Sequence, residues 1–265
     1  MAGPLITLLT DFGADSGFPA QLKGVILSLC PEARIVDISH AVPPYRVLMA
    51  QLMLRDVAAT FPPGTIHLAV VDPGVGTPRR PLLVASGERA PGQLFVGPDN
   101  GLLWPFTRGA QVFELREPSL RRATVSATFH GRDVFAPAGA HLALGVAPEK
   151  FGPPVSDPVK LQPPRVRREG GAVVGEILFV DPFGNLVTNL DLEDLPSTDR
   201  AQLRVSVGGR TLVPVRSTYA EVPAGGAVAV IGSSGYLEVA VREGSAQREL
   251  GLEDAPGMPV VVEVG

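Results

Sequence analysis

Cysteine is almost missing from this chain. One residue, Cys30, in 265 excludes an intrachain disulfide and any Cys-x-x-Cys redox or zinc motif. Histidine is scarce as well: His40, His67, His130 and His141 are the whole set, and none stand at His-x-x-x-His spacing, so the pattern calls for no metal or other cofactor. Basic runs are lacking too. The 23 Lys and Arg against 27 Asp and Glu leave a net charge of -4, with no stripe to track a phosphate backbone, which argues against a nucleic-acid partner. No apolar run approaches the ~20 residues of a membrane span. The run Leu5–Leu9 stops before Asp11 and has no basic flank, so neither a signal peptide nor membrane attachment is expected, and the expected location is cytoplasmic.

What is present is core-forming material. A hydrophobic fraction of 45% against 19% charged residues describes a folded chain rather than a disordered one. The length exceeds the commonest domain size of ~100–150 residues, so one large domain or two unequal ones are the natural readings. The 30 Gly and 27 Pro punctuate short apolar runs. Runs at Leu5–Leu9, Ile35–Ile38, Ile66–Val71, Leu82–Ala85 and Leu94–Val96 read as strands. Helical spacing covers residues 17–29, 46–60 and 132–145, the last with Pro137 in its early part. Alternation of this kind predicts an α/β domain with a mostly parallel sheet over residues 1–155. A proline- and arginine-rich stretch, 156–171, reads as a linker. Beyond it, over 172–265, the pattern is all strand, as in a small β-barrel or sandwich.

Three familiar strings fail on context. Asp11-Phe12-Gly13 spells a kinase triplet but has no Gly-rich loop before it. Gly74-Val75-Gly76 begins a dinucleotide fingerprint, but Arg79 stands in place of the third glycine. Cys30 lies in an apolar helical pattern and reads as a packing thiol. More informative are polar residues placed directly after predicted strands: Asp11, Asp72, Asp99 with Asn100, and His130. Beyond the carboxyl ends of strands in an open α/β sheet is where ligands bind. Each of these residues taken alone is equally explained as a cap or a turn, and Arg79-Arg80 taken alone is a solvated pair. In the second domain, Asp181–Asn185 and Gly232–Gly235 are turns whose polar groups could meet a ligand or only close a hairpin.

In order along the chain stand Thr-Asp-Phe-Gly at 10–13, Val-Asp-Pro-Gly-Val-Gly-Thr-x-Arg at 71–79, Pro-Asp-Asn-Gly-Leu-Leu at 98–103, Phe-His-Gly-Arg-Asp at 129–133 and Asp-Pro-Phe-Gly-Asn-Leu-x-Thr-Asn at 181–189. With these five motifs the chain resembles the S-adenosylmethionine hydroxide adenosyltransferases, also called adenosylmethionine hydrolases (adenosine-forming), which are related to fluorinase and chlorinase. The resemblance implies an N-terminal α/β domain, a C-terminal β-barrel, and a homotrimer with active sites at subunit interfaces. It implies that Asp72, Arg79 and His130 hold and activate water and that Asp11 binds the ribose hydroxyls. Tyr45 and Phe129 would lie beside the substrate. Asp181 would meet the methionine ammonium, Asn185 the adenine edge and Ser233 the methionine carboxylate. The implied reaction is water attack at ribose C5′ of S-adenosyl-L-methionine, giving adenosine and L-methionine without a cofactor. Asp72 falls where the halogenases carry a tyrosine, and Gly131 where they carry a halide-contacting serine, which favours water over halide. A non-catalytic adenosine or S-adenosylmethionine sensor, or a halide-using 5′-halogenase, is the alternative.

Overall fold

The computed structural model describes residues 3–85 and 87–265, with 210–214 described as backbone only. The chain divides into two compact units, Met1–Gln162 and Pro163–Gly265. Among the described residues no helix is long and apolar enough to cross a membrane.

In the first unit six strands, β1 (Leu5–Thr10), β2 (Arg34–Ser39), β3 (Ile66–Val70), β4 (Pro81–Ala85), β5 (Leu94–Pro98) and β6 (Gln111–Glu114), form a sheet in the order β2-β1-β3-β5-β4-β6. The pairings β1–β2, β1–β3 and β3–β5 are parallel. Strand β4 runs antiparallel to both β5 and β6, and β6 is an edge strand too short for its alternation to stand out in the sequence. The α/β reading with a mostly parallel sheet holds.

Helices α1 (Phe18–Leu29), α2 (Val47–Ala58) and α3 (Ala136–Ala143) cover the sheet. Strand β1 is buried from Ile6 through Thr10, as expected of a strand covered on both faces. Ile6 and Leu8 pack with Leu22 and Ile26 of α1 and with the α3 alanines. Leu9 points the other way and joins Ala50, Leu54 and Ala58, which recur every four residues along α2. Cys30 is buried at the end of α1.

The expected helix over 132–145 begins differently. Gly131–Phe135 is a π-helical turn and regular α-helix starts only at Ala136. Pro137 has no N–H to offer the Asp133 carbonyl, and that carbonyl instead accepts from the Arg122 N–H at 3.0 Å. A proline tolerated early in the helix thus reshapes the turn before it.

The second unit is a barrel-like sheet. Strands β7 (Arg167–Glu169), β8 (Ala172–Val180), β9 (Leu186–Asp191), β10 (Leu203–Val207), β11 (Arg210–Arg216), β12 (Ala227–Ile231), β13 (Tyr236–Val241) and β14 (Pro259–Val264) run in the order β14-β10-β11-β12-β13-β9-β8-β7. An additional β14–β8 pairing closes the ring, leaving the short, exposed β7 as an edge strand beside β8. Alternate residues such as Val205, Val207, Leu237, Val239, Val260 and Val262 fill its interior.

His67 is among the polar groups sealed inside the first unit. The His67 ring accepts from the Thr7 hydroxyl through Nδ1 (2.7 Å) and donates through Nε2 to the Gln93 carbonyl oxygen (3.0 Å). That direction follows because the Gln93 amide hydrogens are already given to the Ala58 and Phe61 carbonyls. Burial, opposed only weakly by the Gln93 contact, pushes the His67 pKa down to about 4. The unfolded chain takes up this proton near pH 6.5 and the folded one only near pH 4, so His67 contributes stability that is complete above pH 6.5 and lost progressively as the pH falls to 4. Denaturant titrations should show a stability decrease of about 3 kcal/mol over that interval. His67→Gln should remove this part of the slope; an unchanged slope in the variant would refute the assignment.

Candidate active site

Two strand ends and one loop bring the first-unit candidates together. Asp11 follows β1, Asp72 follows β3, and His130 precedes the π-helical turn. Asp11, Asp72, Phe129 and His130 line one small cleft of about 50 Å³ with Phe12, Thr128 and Gly131.

Arg79 does not itself line the cleft but reaches Asp72 and His130, which do, because the chain after Asp72 curls back. The Val75 N–H donates to the Asp72 carbonyl (3.2 Å) and the Thr77 N–H to that of Gly74 (3.1 Å). The Thr77 hydroxyl reinforces the same carbonyl at 2.6 Å. Gly76 has φ +79°, and a Cβ there would sit 2.6 Å from the Ala127 carbonyl oxygen, so the turn requires glycine on both counts. Arg79 then lays its Nε against both Asp72 oxygens, at 3.0 and 2.9 Å, while Nη2 also donates to Oδ2. The side chains are 8% and 5% exposed, so Arg79 is not half of a solvated Arg-Arg pair. The pairing is bidentate, and removing one partner would strand a buried charge at a cost of several kcal/mol.

The same Nη2 lies 2.8 Å from His130 Nδ1. A guanidinium only donates, so Nδ1 is the acceptor and a neutral His130 carries its hydrogen on Nε2. Burial first, and then the Arg79 charge, hold His130 below the ordinary imidazole pKa, while Asp72 pulls the other way. Arg79 Nη1 is buried with no hydrogen-bond partner among the described residues. The cluster therefore presents guanidinium and imidazole N–H donors beside carboxylate lone pairs, the set needed to fix one water molecule by both its oxygen and its hydrogens.

Asp11 accepts from the Tyr45 N–H at 3.3 Å. Tyr45 makes that contact through its backbone, in the left-handed region at φ 68°, which costs a non-glycine residue of order 1–3 kcal/mol. Its ring is 72% exposed. Burial pushes the Asp11 carboxyl up, as the Asp72 charge does to a lesser degree; the Tyr45 N–H opposes this. Phe129 packs edge-on against Phe12 and Phe18 at 5.6 and 5.2 Å, walling one side of the cleft.

Asp99 and Asn100 do other work. Asp99 accepts from Arg80 (2.7 Å) and from the Val159 N–H (2.8 Å), and Asn100 donates to the Val71 carbonyl (2.8 Å). Both are structural clamps rather than part of the cleft, and Arg80 is engaged by Asp99 and Asp157.

In the second unit Asp181, Asn185 and Ser233 line a cavity of about 710 Å³ together with Phe183, Tyr219 and Glu238. Asp181 spends much of its accepting capacity on its own turn, taking the Phe183 and Asn185 backbone N–H groups and Asn185 Nδ2 at 2.8–2.9 Å. In the 232–235 turn the Gly232 and Gly235 N–H groups are given to Tyr236 and Gly232 carbonyls. Sequence reasoning missed Tyr219 and Glu238. Their signal was a lone acid in the apolar strand Tyr-Leu-Glu-Val-Ala-Val, since an acid in a buried strand needs a partner. Here the Tyr219 hydroxyl donates to Glu238 at 2.9 Å. Burial raises both groups, Tyr219 to about 12.

An α/β unit carrying an Asp-Arg-His cluster beyond its strand ends, followed by a barrel-like unit with a polar-rimmed cavity, defines a two-unit α/β and β-barrel architecture. Family models place it further: residues 6–152 match the SAM hydroxide adenosyltransferase N-terminal domain and residues 175–259 the C-terminal domain. The chain belongs to the SAM hydroxide adenosyltransferase family. It is 43% identical to an (R)-S-adenosyl-L-methionine hydrolase of Thermus thermophilus, over 96% of this chain and 98% of the relative. A fluorinase of Nocardia brasiliensis is 31% identical over 99% and 97% of the two chains. The crystal structure of an uncharacterized conserved protein from Thermotoga maritima superimposes with a TM-score of 0.88 at 34% identity, covering 97% of this chain and 99% of that one.

The Arg79–His130 geometry has a spectroscopic consequence. An NMR titration of His130 should give a midpoint below 6.5. Arg79→Gln should raise it, because the cation that opposes imidazolium is gone while Asp72, which favours it, stays. A midpoint that does not move on substitution would contradict the contact.

Proposed function

We propose that this protein hydrolyses S-adenosyl-L-methionine to adenosine and L-methionine, with water or hydroxide attacking ribose C5′. The observation that carries the reading is the buried Asp72–Arg79–His130 cluster, with donors and acceptors converging beside Asp11. The names borne by relatives at up to 43% identity support it.

In this mechanism Arg79 and the His130 Nε2–H hold the water oxygen while Asp72 accepts one of its hydrogens. As that hydrogen passes to Asp72, the O–H bonding pair becomes a further oxygen lone pair, not engaged by the two donors, for in-line attack. The new bond forms between that oxygen and C5′. The C5′–S bond breaks with its electron pair passing to sulfur, which turns a sulfonium into a neutral thioether. One proton leaves through Asp72 to solvent, so charge balances without a further co-reactant. Asp11 takes the ribose hydroxyls, and Tyr45 and Phe129 border the reacting centre. In the barrel cavity Asp181 receives the methionine ammonium, Asn185 the adenine edge and Ser233 the carboxylate. A cleft of about 50 Å³ is far below the ~300 Å³ at which small-molecule sites begin. The family resemblance implies a homotrimer, and we propose that in it the barrel cavity of a neighbouring subunit completes each site; a cytoplasmic location is proposed as well.

Turnover in H₂¹⁸O should place label in the 5′-hydroxyl of adenosine, with methionine formed in equal amount. Saturable binding without product would instead mark a sensor, and a 5′-halogenated product in the presence of halide would mark a halogenase. Asp72→Asn should lower turnover by about 10²–10⁴-fold with little change in adenosine affinity. Asp11→Asn should weaken adenosine binding instead. Wild-type turnover in Asp72→Asn would remove the cluster from the mechanism. Sedimentation velocity should give a trimer, and a fully active monomer on dilution would exclude the shared site.

A further inference from the structure

A second cavity in the first unit, of about 560 Å³, lies between α1, α3 and the segment at residues 119–122. Arg121, Arg122, Arg132, Ser28, Ser119 and His141 are among the side chains lining it, and no carboxylate is. Behind two of the lining arginines lies Asp133, whose side chain is fully buried and pairs with both Arg122 (3.2 Å) and Arg132 (2.7 Å). Burial alone would raise the Asp133 carboxyl, but the Arg132 and Ser126 contacts outweigh it and hold the carboxyl below its usual value. Asp133 is thus a full negative charge shared by two guanidinium groups. Glu117 stands behind the wall as well, accepting from the lining Ser119 hydroxyl at 2.6 Å, so three arginines less two carboxylates leave one net positive charge at the cavity.

Among the described residues Arg121 forms no ion pair with a carboxylate. Its Nε is buried and has no hydrogen-bond partner among the described residues. Burial lowers its pKa, and the Arg116 charge does so further, while Glu114 acts in the opposite direction. Glu114 is itself paired with Arg116 at 2.9 Å and is not among the lining residues. His141 is held below the ordinary imidazole value by burial, so near neutral pH it offers hydrogen bonding rather than charge. The Ser28 and Ser119 hydroxyls give their hydrogens to the Val25 carbonyl and to Glu117, so the planar guanidinium forks, on a concave surface of net positive charge, are what matches a phosphoryl group. The volume exceeds that of a bare phosphate and lies in the range of small-molecule sites.

We propose that this cavity is a binding site for a phosphorylated small metabolite, its phosphoryl group held by Arg121 with Arg122 and Arg132. The site is separate from the Asp72–Arg79–His130 cleft, with which it shares no lining residue.

Titration calorimetry of the full chain with inorganic phosphate and with ribose 5-phosphate, against chloride at equal ionic strength, tests this. Saturable binding of either probe is expected. Tighter binding of the ester identifies a phosphorylated metabolite as the occupant, whereas equal or tighter binding of free phosphate keeps the phosphoryl site and withdraws the metabolite. Arg121→Gln should weaken binding by about 10- to 100-fold, the effect of losing one charge-assisted contact, and Arg121→Lys by less. Gly24 offers a variant that leaves every cation in place. It lines the cavity on α1, and a Cβ added there meets nothing within 4 Å. Gly24→Leu should therefore fill the cavity and block the probe while leaving the thermal melt intact or raised, since glycine is a poor helix former. No saturable binding by the wild type, or undiminished binding in folded Arg121→Gln and Gly24→Leu, would overturn the proposal.

Discussion

A buried carboxylate has to be matched by a cation, and in this protein the match comes from seven residues along the same turn. Asp72 and Arg79 pair with nearly all of their side-chain surface removed from water. Either charge left alone there would cost several kcal/mol. The turn between them is consequently fixed in detail: Gly76 in the left-handed region, Thr77 tied to Gly74, and the Ala127 carbonyl pressed close behind. His130 reaches Arg79 from the loop beside Ala127. The position of each member depends on the others, so the cluster behaves as a unit.

That interdependence explains which parts were legible in the sequence. Asp11 and Asp72 announce themselves by standing directly after strands, since strand periodicity and the end-of-strand rule are local signals; His130, expected in the same position, instead follows a loop that begins after β6 and sits just before the π-helical turn. The parallel core of the sheet and the strand-dominated second half are legible for the same reason, although the short helix Ala246–Glu249 in that half was not expected. Arg79 is different. Sequence spacing gives no sign that a residue next to another arginine is buried, because its burial is decided by the return of the turn onto Asp72. Asp99 and Asn100 show the opposite failure. They have the same post-strand placement as Asp72, but Arg80, Val159 and Val71 claim their polar atoms. Only three-dimensional neighbours separate a clamp from a site.

The π-helical turn at 131–135 makes a related point. Pro137 was legible as an early-helix proline, but its effect falls four residues earlier, on the Asp133 carbonyl. That shift leaves Asp133 buried beneath Arg122 and Arg132 while His130 stays at the helix entrance. In the barrel unit, Glu238 stayed unread because a single acid in an apolar strand looks like an interruption until Tyr219 is seen against it.

Charge separates the two chemistries that this family's relatives carry in their names. The cleft holds two carboxylates, Asp11 and Asp72, against the single guanidinium of Arg79 when His130 is neutral, so its balance is one negative charge. In a partly buried site that balance attracts a sulfonium cation and repels a halide by the same Coulomb energy, several kcal/mol at contact distance with an effective dielectric of ~20. Sterics point the same way. A Cβ at Gly131 would lie 3.0 Å from the Phe12 ring and 3.3 Å from that of Phe129, so a hydroxyl-bearing side chain at this position requires the aromatic wall to move. Glycine lets Phe12 and Phe129 close the wall, and Asp72 makes the enclosed space suitable for a hydrogen-bonded water rather than a bare anion.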